Sequence, residues 1–194
     1  MSANVLNTPL VNTPRIAKPK RYHPALVALH WIIAILIFAT PLFAEDGGEG
    51  FSPGGVSTLG IHMILGIAVL VLLVIRLIIR WRTQHPDWAT AGGAFLDKIG
   101  GLTHWALYFF TFAITITGIA LVAQTNRFAR VFGLGGVARP QFMPGGFEVL
   151  GAFHGLSWTL LLLLILLHVG AALYHQFIRK DNLLSRMWFG GQYE

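Results

Sequence analysis

The order of apolar and polar positions divides the chain into four long apolar runs separated by polar or glycine-rich connectors. The runs cover residues 25–44, 58–79, 100–124 and 149–178. In none of them does polarity return every three or four residues, as it does on the wet face of a soluble helix. A hydrocarbon layer about 30 Å thick is crossed by about 20 apolar residues in helical form, so each run predicts one membrane-spanning helix. The last is longer than a crossing requires: at about 1.5 Å per residue it reaches about 45 Å, which predicts tilt or protrusion. Lipid offers the backbone no water to bond, so the expected form is helical. The pattern therefore predicts an all-α, integral-membrane four-helix bundle over residues 24–188, a polar basic tail over 1–23 and a short tail over 189–194. The expected connectors are 45–57, 81–99 and 125–148, and no internal repeat aligns.

Composition agrees with lipid as the solvent: 55% of residues are hydrophobic and 11% charged, against about 25% charged in soluble domains. The formal net charge of +6 would suit nucleic acid only if it lay on one face of a water-soluble core, and long uncharged runs exclude that class. The placement of the charge is informative instead. Arg15, Lys18, Lys20 and Arg21 precede the first run; Arg76, Arg80, Arg82 and Lys98 flank the second connector; Arg179, Lys180 and Arg186 follow the last run. Basic loops stay on the cytoplasmic side, so both termini are expected there, in a multi-pass protein of a bacterial inner membrane. The first connector, with Glu45, Asp46 and Glu49 and no basic residue, suits the outer side. The third connector breaks the rule, because Arg127, Arg130 and Arg139 would lie outside against Glu148. The basic start imitates a signal peptide, but the run 25–44 is longer than a signal's apolar region and lacks a small-x-small cleavage site, so it reads as a retained anchor.

The chain has no cysteine, which excludes disulfides, iron–sulfur clusters, thiolate ligation and covalent c-type haem. It has eight histidines, of which His30, His62, His104, His154 and His168 fall inside apolar runs and His175 at the end of the last. An imidazole in hydrocarbon is costly unless its nitrogens have partners, so these positions predict function. With the amino terminus inside, His30 lies a little over one turn from the cytoplasmic side and His62 a similar distance from the outer side. His154 and His168 are 14 residues apart, about 21 Å along a helix and within about 40° of one face. Depth thus pairs His62 with His154 in the outer leaflet and His30 with His168 in the inner one. Two imidazoles per iron describe non-covalent b-type haem suited to one-electron transfer. Zinc competes poorly, since it gathers about four ligands around one ion.

Gly66, Gly155 and Gly170 beside these histidines make room for a flat macrocycle or serve ordinary helix packing. His104, His175 and Lys180 are candidates for a quinone pocket or a haem propionate contact, with a structural or interfacial role as the alternative. Arg76 and Arg80, one turn apart, are candidate propionate partners or simply reach lipid phosphates. Trp31, Trp81, Trp105 and Trp188 fit interfacial belts.

The segments ALHW, IHMILG, VLLVIRLIIR, THWALYFF, TITGIALV, FHG, LLHVGAALYHQF and KDNLLSRM together resemble the bacterial cytochrome b561 family over residues 23–187. The resemblance implies a dihaem membrane cytochrome whose haems are held by the histidines matching His30, His62, His154 and His168. Some members exchange electrons between quinone and a redox partner protein, and one subgroup looks like a superoxide oxidase that reduces ubiquinone. Under that expectation Arg127, Arg130 and Arg139 form an anion funnel above the outer haem; the alternative is attachment to anionic lipid or an acidic partner. The competing function is a haem-bearing anchor that passes electrons between a dehydrogenase or hydrogenase and quinone. A non-haem membrane scaffold is disfavoured by the histidine placement.

Overall fold

The structure is a computed structural model that describes residues 19–44, 58–87, 89–90, 92–123 and 145–189. Arg127, Arg130 and Arg139, with the acidic first connector, lie outside the described residues. Within them the chain is all-helical: α1 (Pro24–Ala39) ends in a 3-10 turn (Thr40–Phe43), followed by α2 (Thr58–Arg82), α3 (Ala94–Ala123) and α4 (Gly146–Leu173). The last helix widens into a π turn (Tyr174–Arg179) and is followed by a 3-10 turn (Leu183–Met187). All four are long and apolar enough to cross a membrane.

Local chemistry sets the ends. Pro24 opens α1, where a missing N–H costs nothing, and His23 Nδ1 accepts the Ala25 N–H at 3.2 Å. Pro41 cannot donate into the α-helical ladder, and the chain tightens so that the Ala44 N–H bonds the Pro41 carbonyl at 3.1 Å. Lys180 and Asn182 both take left-handed backbone angles, φ 55° each, and so stop the last helix.

Two boundaries differ from the expected runs. α2 continues to Arg82 and α3 starts at Ala94, which reduces the second connector to residues 83–93. The Asp97 N–H bonds the Gly93 carbonyl at 3.0 Å, and Thr90 Oγ1 donates to Asp97 Oδ2 at 2.9 Å. A polar first turn thus forms beyond the apolar run, because hydropathy marks where lipid begins while hydrogen bonding decides where a helix begins. The helix then runs through Gly100 and Gly101.

Large apolar side chains such as Leu42, Phe109 and Leu163 point outward, as lipid permits. The interior is correspondingly thin. Ile33, Val69 and Leu73 form a buried cluster, against which Leu36, Tyr108 and Phe112 pack to join α1, α2 and α3. α3 and α4 make the most extensive helix pair, followed by α1 and α2. Thr103, Thr111, Thr115 and Ser157 are buried between helices. Each threonine hydroxyl bonds a carbonyl one turn back, at 2.9, 2.7 and 2.9 Å, which satisfies it without a cross-helix partner.

The start of α1 and the 3-10 turn Leu183–Met187 share one end of the bundle. Trp31 Nε1 donates to the Met187 carbonyl at 2.8 Å, the Tyr22 N–H to the Arg186 carbonyl at 3.3 Å, and Arg186 Nη1 to the Asp87 carbonyl at 2.9 Å. The 3-10 turn therefore lies across the foot of α1, one residue from His30.

Candidate functional site

The helices bring four histidines together as two opposed pairs. Near the end of the bundle where the 3-10 turn Leu183–Met187 meets α1, His30 of α1 meets His168 of α4 with ring centres 6.2 Å apart at 71°. Toward the other face, His62 of α2 meets His154 of α4 at 6.2 Å and 64°. Two metal–nitrogen bonds of about 2 Å, with about 1.1 Å from each nitrogen to its ring centre, separate axial imidazoles by about 6 Å. The observed separation is too long for a direct hydrogen bond between the rings and matches that requirement. Among the described residues no three histidine, aspartate or glutamate side chains converge on a metal-sized site.

The His62–His154 site carries its own orienting bonds. His62 Nδ1 lies 3.0 Å from the Thr40 carbonyl, which can only accept, so Nδ1 holds the proton and Nε2 keeps its lone pair. That carbonyl is accessible where the 3-10 turn departs from α geometry at Pro41. His154 Nδ1 lies 3.2 Å from Thr117 Oγ1. The threonine hydroxyl already donates to the Ala113 carbonyl at 2.7 Å, so the imidazole is the donor and again leaves Nε2 free. Such bonds fix ring orientation and raise ligand basicity at metal-binding histidines.

A cavity of about 430 Å³ surrounds this pair, with His62, His154, Gly66, Gly118, Gly155 and Trp158 in its wall. Its lining is mostly aliphatic and aromatic, with glycine where a flat group would lie closest. These residues fit a planar apolar macrocycle ligated from both sides. Gly118 matters most: a Cβ there would stand 3.1 Å from His154 Cε1, whereas one at Gly66, Gly155 or Gly170 would meet nothing within 4 Å. Gly66 and Gly155 do line the cavity. Gly170, expected to make similar room, is exposed on α4.

The His30–His168 site is more crowded with polar groups. His104 of α3 sets its ring edge-on against His168 at 5.1 Å, and its Nδ1 donates to the Gly100 carbonyl at 2.7 Å. Arg76 donates through Nη1 to the Leu26 carbonyl and through Nε to the Tyr108 hydroxyl at 3.2 Å, a brace linking α2 to α1 and α3. It is near enough to interact electrostatically with His30, His104 and His168, and Arg80 with His104.

The other residues expected to meet quinone fall differently. His175 is 6% exposed, and its Nδ1 lies 2.5 Å from Asp181 Oδ2. His175 lies in the π turn that begins at Tyr174. Burial works against ionisation of Asp181, but the hydrogen bond and charge of His175, the Leu183 N–H and the Arg179 guanidinium outweigh it and hold the carboxyl below its ordinary range. Lys180 is exposed at the end of that turn.

Thr40, Thr117, Gly118, Tyr108 and Asp181 were not singled out by sequence reasoning. The signals available were a Thr-Pro at a span end and a Thr-Gly inside the segment TITG; both are common in membrane helices, and neither says which histidine lies opposite.

A membrane bundle with opposed histidine pairs at two levels defines a class of intramembrane electron-transfer cytochrome. The family model for prokaryotic cytochrome b561 matches residues 21–190, and the chain belongs to that family. It is 29% identical over 173 residues to the probable superoxide oxidase CybB of Yersinia pestis, covering 87% of this chain and 96% of that one. It is 33% identical over 174 residues to cytochrome b561 homolog 1 of Escherichia coli, covering 86% and 96%. With cytochrome b562 of Cereibacter sphaeroides it shares 29% over 168 residues, covering 83% and 90%. The family is one of b-type cytochromes, so this is a multi-pass membrane cytochrome with a role in electron transfer.

Proposed function

We propose that His62 and His154 hold one b-type haem and His30 and His168 a second, and that the chain oxidises an outer-side donor, superoxide, and reduces ubiquinone. The observation that carries this reading is the repetition of one geometry: two imidazole pairs from different helices, each with ring centres 6.2 Å apart, at levels set by the 14-residue spacing on α4. A haem bound by two imidazoles has no open coordination position and supplies reversible one-electron chemistry at its iron.

The protein's own residues do the rest. Thr40 and Thr117 hold His62 and His154 as Nε2 ligands. Arg76 and Arg80 offer cationic partners to propionates at the other site. The termini and the His30–His168 pair are assigned to the cytoplasmic side of a bacterial inner membrane by the positive charge flanking the spans. Arg127, Arg130 and Arg139 then lie on the outer side, where a cationic cluster concentrates a small anion. The printed name of the Yersinia relative supports superoxide as that anion. Two superoxide ions give two molecules of oxygen and two electrons, which with two protons convert one quinone to one hydroquinone.

The test is an absorbance spectrum of detergent-purified protein with haem counted per chain, pulsed with superoxide and then with ubiquinone. Two low-spin haems that are reduced and then reoxidised are expected. Haems indifferent to superoxide would refute the assigned donor and favour a haem-bearing anchor for a partner dehydrogenase. Replacing the three arginines is expected to slow superoxide consumption in a salt-sensitive manner.

A further inference from the structure

Charge is shared unequally between the two histidine pairs. The cavity around His62 and His154 has no charged side chain in its wall among the described residues. Arg76, by contrast, lies within α2, and its charge acts on both His30 and His168. The guanidinium is held between neutral partners. Its Nη1 donates to the carbonyl of Leu26, one turn before His30 on α1. Its Nε donates to the hydroxyl of Tyr108, one turn beyond His104 on α3, at 3.2 Å. Among the described residues no carboxylate lies within ion-pair distance of Arg76; Asp181 pairs with His175 and Arg179 instead.

A charge inside a membrane span is costly, and such residues mark function. Arginine keeps its proton there. Its field is also weakly screened, whereas exposed charges on connectors are damped by salt within about 8–10 Å. Two bonds to different helices fix where that field originates.

We infer that Arg76 tunes the redox balance of the bundle: its fixed charge raises the potential of the haem at His30 and His168 above that of the haem at His62 and His154. Electrons are thereby drawn from the second level to the first, which on the proposed orientation is inward. The inference rests on the proposed haem ligation. A ferric centre carries one more positive charge than a ferrous one, so a neighbouring cation disfavours the ferric state. The equilibrium so biased oxidises the outer iron from ferrous to ferric and reduces the inner from ferric to ferrous; one electron moves and no proton. At a separation of about 10 Å and an effective dielectric constant of about 20, one charge changes such an equilibrium on the order of tenfold. A propionate that bonds the guanidinium leaves the sign unchanged, because loss of the arginine still removes one positive charge.

The experiment is an equilibrium redox titration of full-length protein in detergent, followed by haem absorbance. His62→Ala, which keeps the haem at His30 and His168, and His168→Ala, which keeps the other, assign the two midpoints. In the wild type the midpoint at His30 and His168 is expected to be the higher. Arg76→Gln is expected to shift the sharing of an electron about tenfold toward His62 and His154, a fall of about 59 mV in one midpoint with the other unchanged. Arg76→Lys keeps the charge and is expected to keep the wild-type potential, although it restores the brace between helices poorly. Tyr108→Phe cuts the brace, keeps the charge, and is expected to leave both midpoints in place. Unchanged midpoints in Arg76→Gln would overturn the inference. So would an equal fall in Arg76→Lys or Tyr108→Phe, since packing and not charge would then be the cause. Should Arg76→Gln release the haem, the wild-type order decides: a midpoint at His30 and His168 at or below the other overturns the inference and leaves the ligation standing. Two haems retained by both His62→Ala and His168→Ala would overturn the ligation and the inference together.

Discussion

Adding one methyl group at Gly118 tests the His62–His154 site without touching a ligand. In Gly118→Ala the new Cβ stands 3.1 Å from His154 Cε1, closer than carbon atoms pack at their optimum of about 3.5–4.0 Å, and 3.6 Å from Nδ1, an ordinary contact. The contact is between α3 backbone and a ring already held at 3.2 Å by the neighbouring Thr117. Relief requires the imidazole to tilt away, which strains that bond and turns Nε2 off the axis toward His62. Overpacking of this kind costs about 1–3 kcal/mol. If the strain falls mainly on the liganded state, retention of the haem at this site weakens about 5- to 150-fold.

The assay is haem content and spectrum of purified protein during dilution into apomyoglobin, which scavenges released haem. Gly118→Ala should lose one haem faster than the other, with the surviving signal that of the His30–His168 site. Gly170→Ala is the control, because its Cβ meets nothing within 4 Å. Loss kinetics and low-spin spectra indistinguishable from wild type in Gly118→Ala would refute the idea that α3 sets the His154 ring.

Thr117→Val removes one of the two partners of His154, the Thr117 hydroxyl, and leaves the ring bonded to the Ile114 backbone alone; haem retention at that site should fall about tenfold, with Thr117→Ser close to wild type. Substitution of His62 or His168 by alanine should each remove one haem per chain, whereas His104→Ala should leave two, as counted by pyridine haemochrome. Arg76→Ala strips donors from the Leu26 carbonyl and the Tyr108 hydroxyl and should destabilise the bundle by about 1–3 kcal/mol in detergent unfolding, with poor rescue by lysine, whose ammonium lacks the planar fork that spans two helices.

Much of this molecule was legible along one dimension. Membrane-spanning helices follow from the apolar runs because lipid leaves the backbone no alternative partner. The depth of a residue in a helix of known direction is an axial quantity, fixed by about 1.5 Å per residue. His30 and His168 therefore share one level and His62 and His154 the other, and these are the pairs that the bundle brings to 6.2 Å. Helix ends were less legible: α3 starts at Ala94 through hydrogen bonds made by Gly93, Thr90 and Asp97, to which an apolar pattern is blind.

What only the tertiary structure decided is azimuthal and local. Which small residue faces which ring depends on how α3 is rotated against α4, so Gly118, rather than Gly170, is the close neighbour of an imidazole. Thr40 reaches His62 only because Pro41 tightens the end of α1, and Arg76 braces Leu26 and Tyr108 only because three helices converge there. His175 comes beside Asp181 only because the chain turns back on the end of the last helix after the π turn. Sequence determined the crossings and the levels, since those depend on how far along a helix each residue lies. Packing determined the orienting bonds, since those depend on the angle each helix turns toward its neighbours.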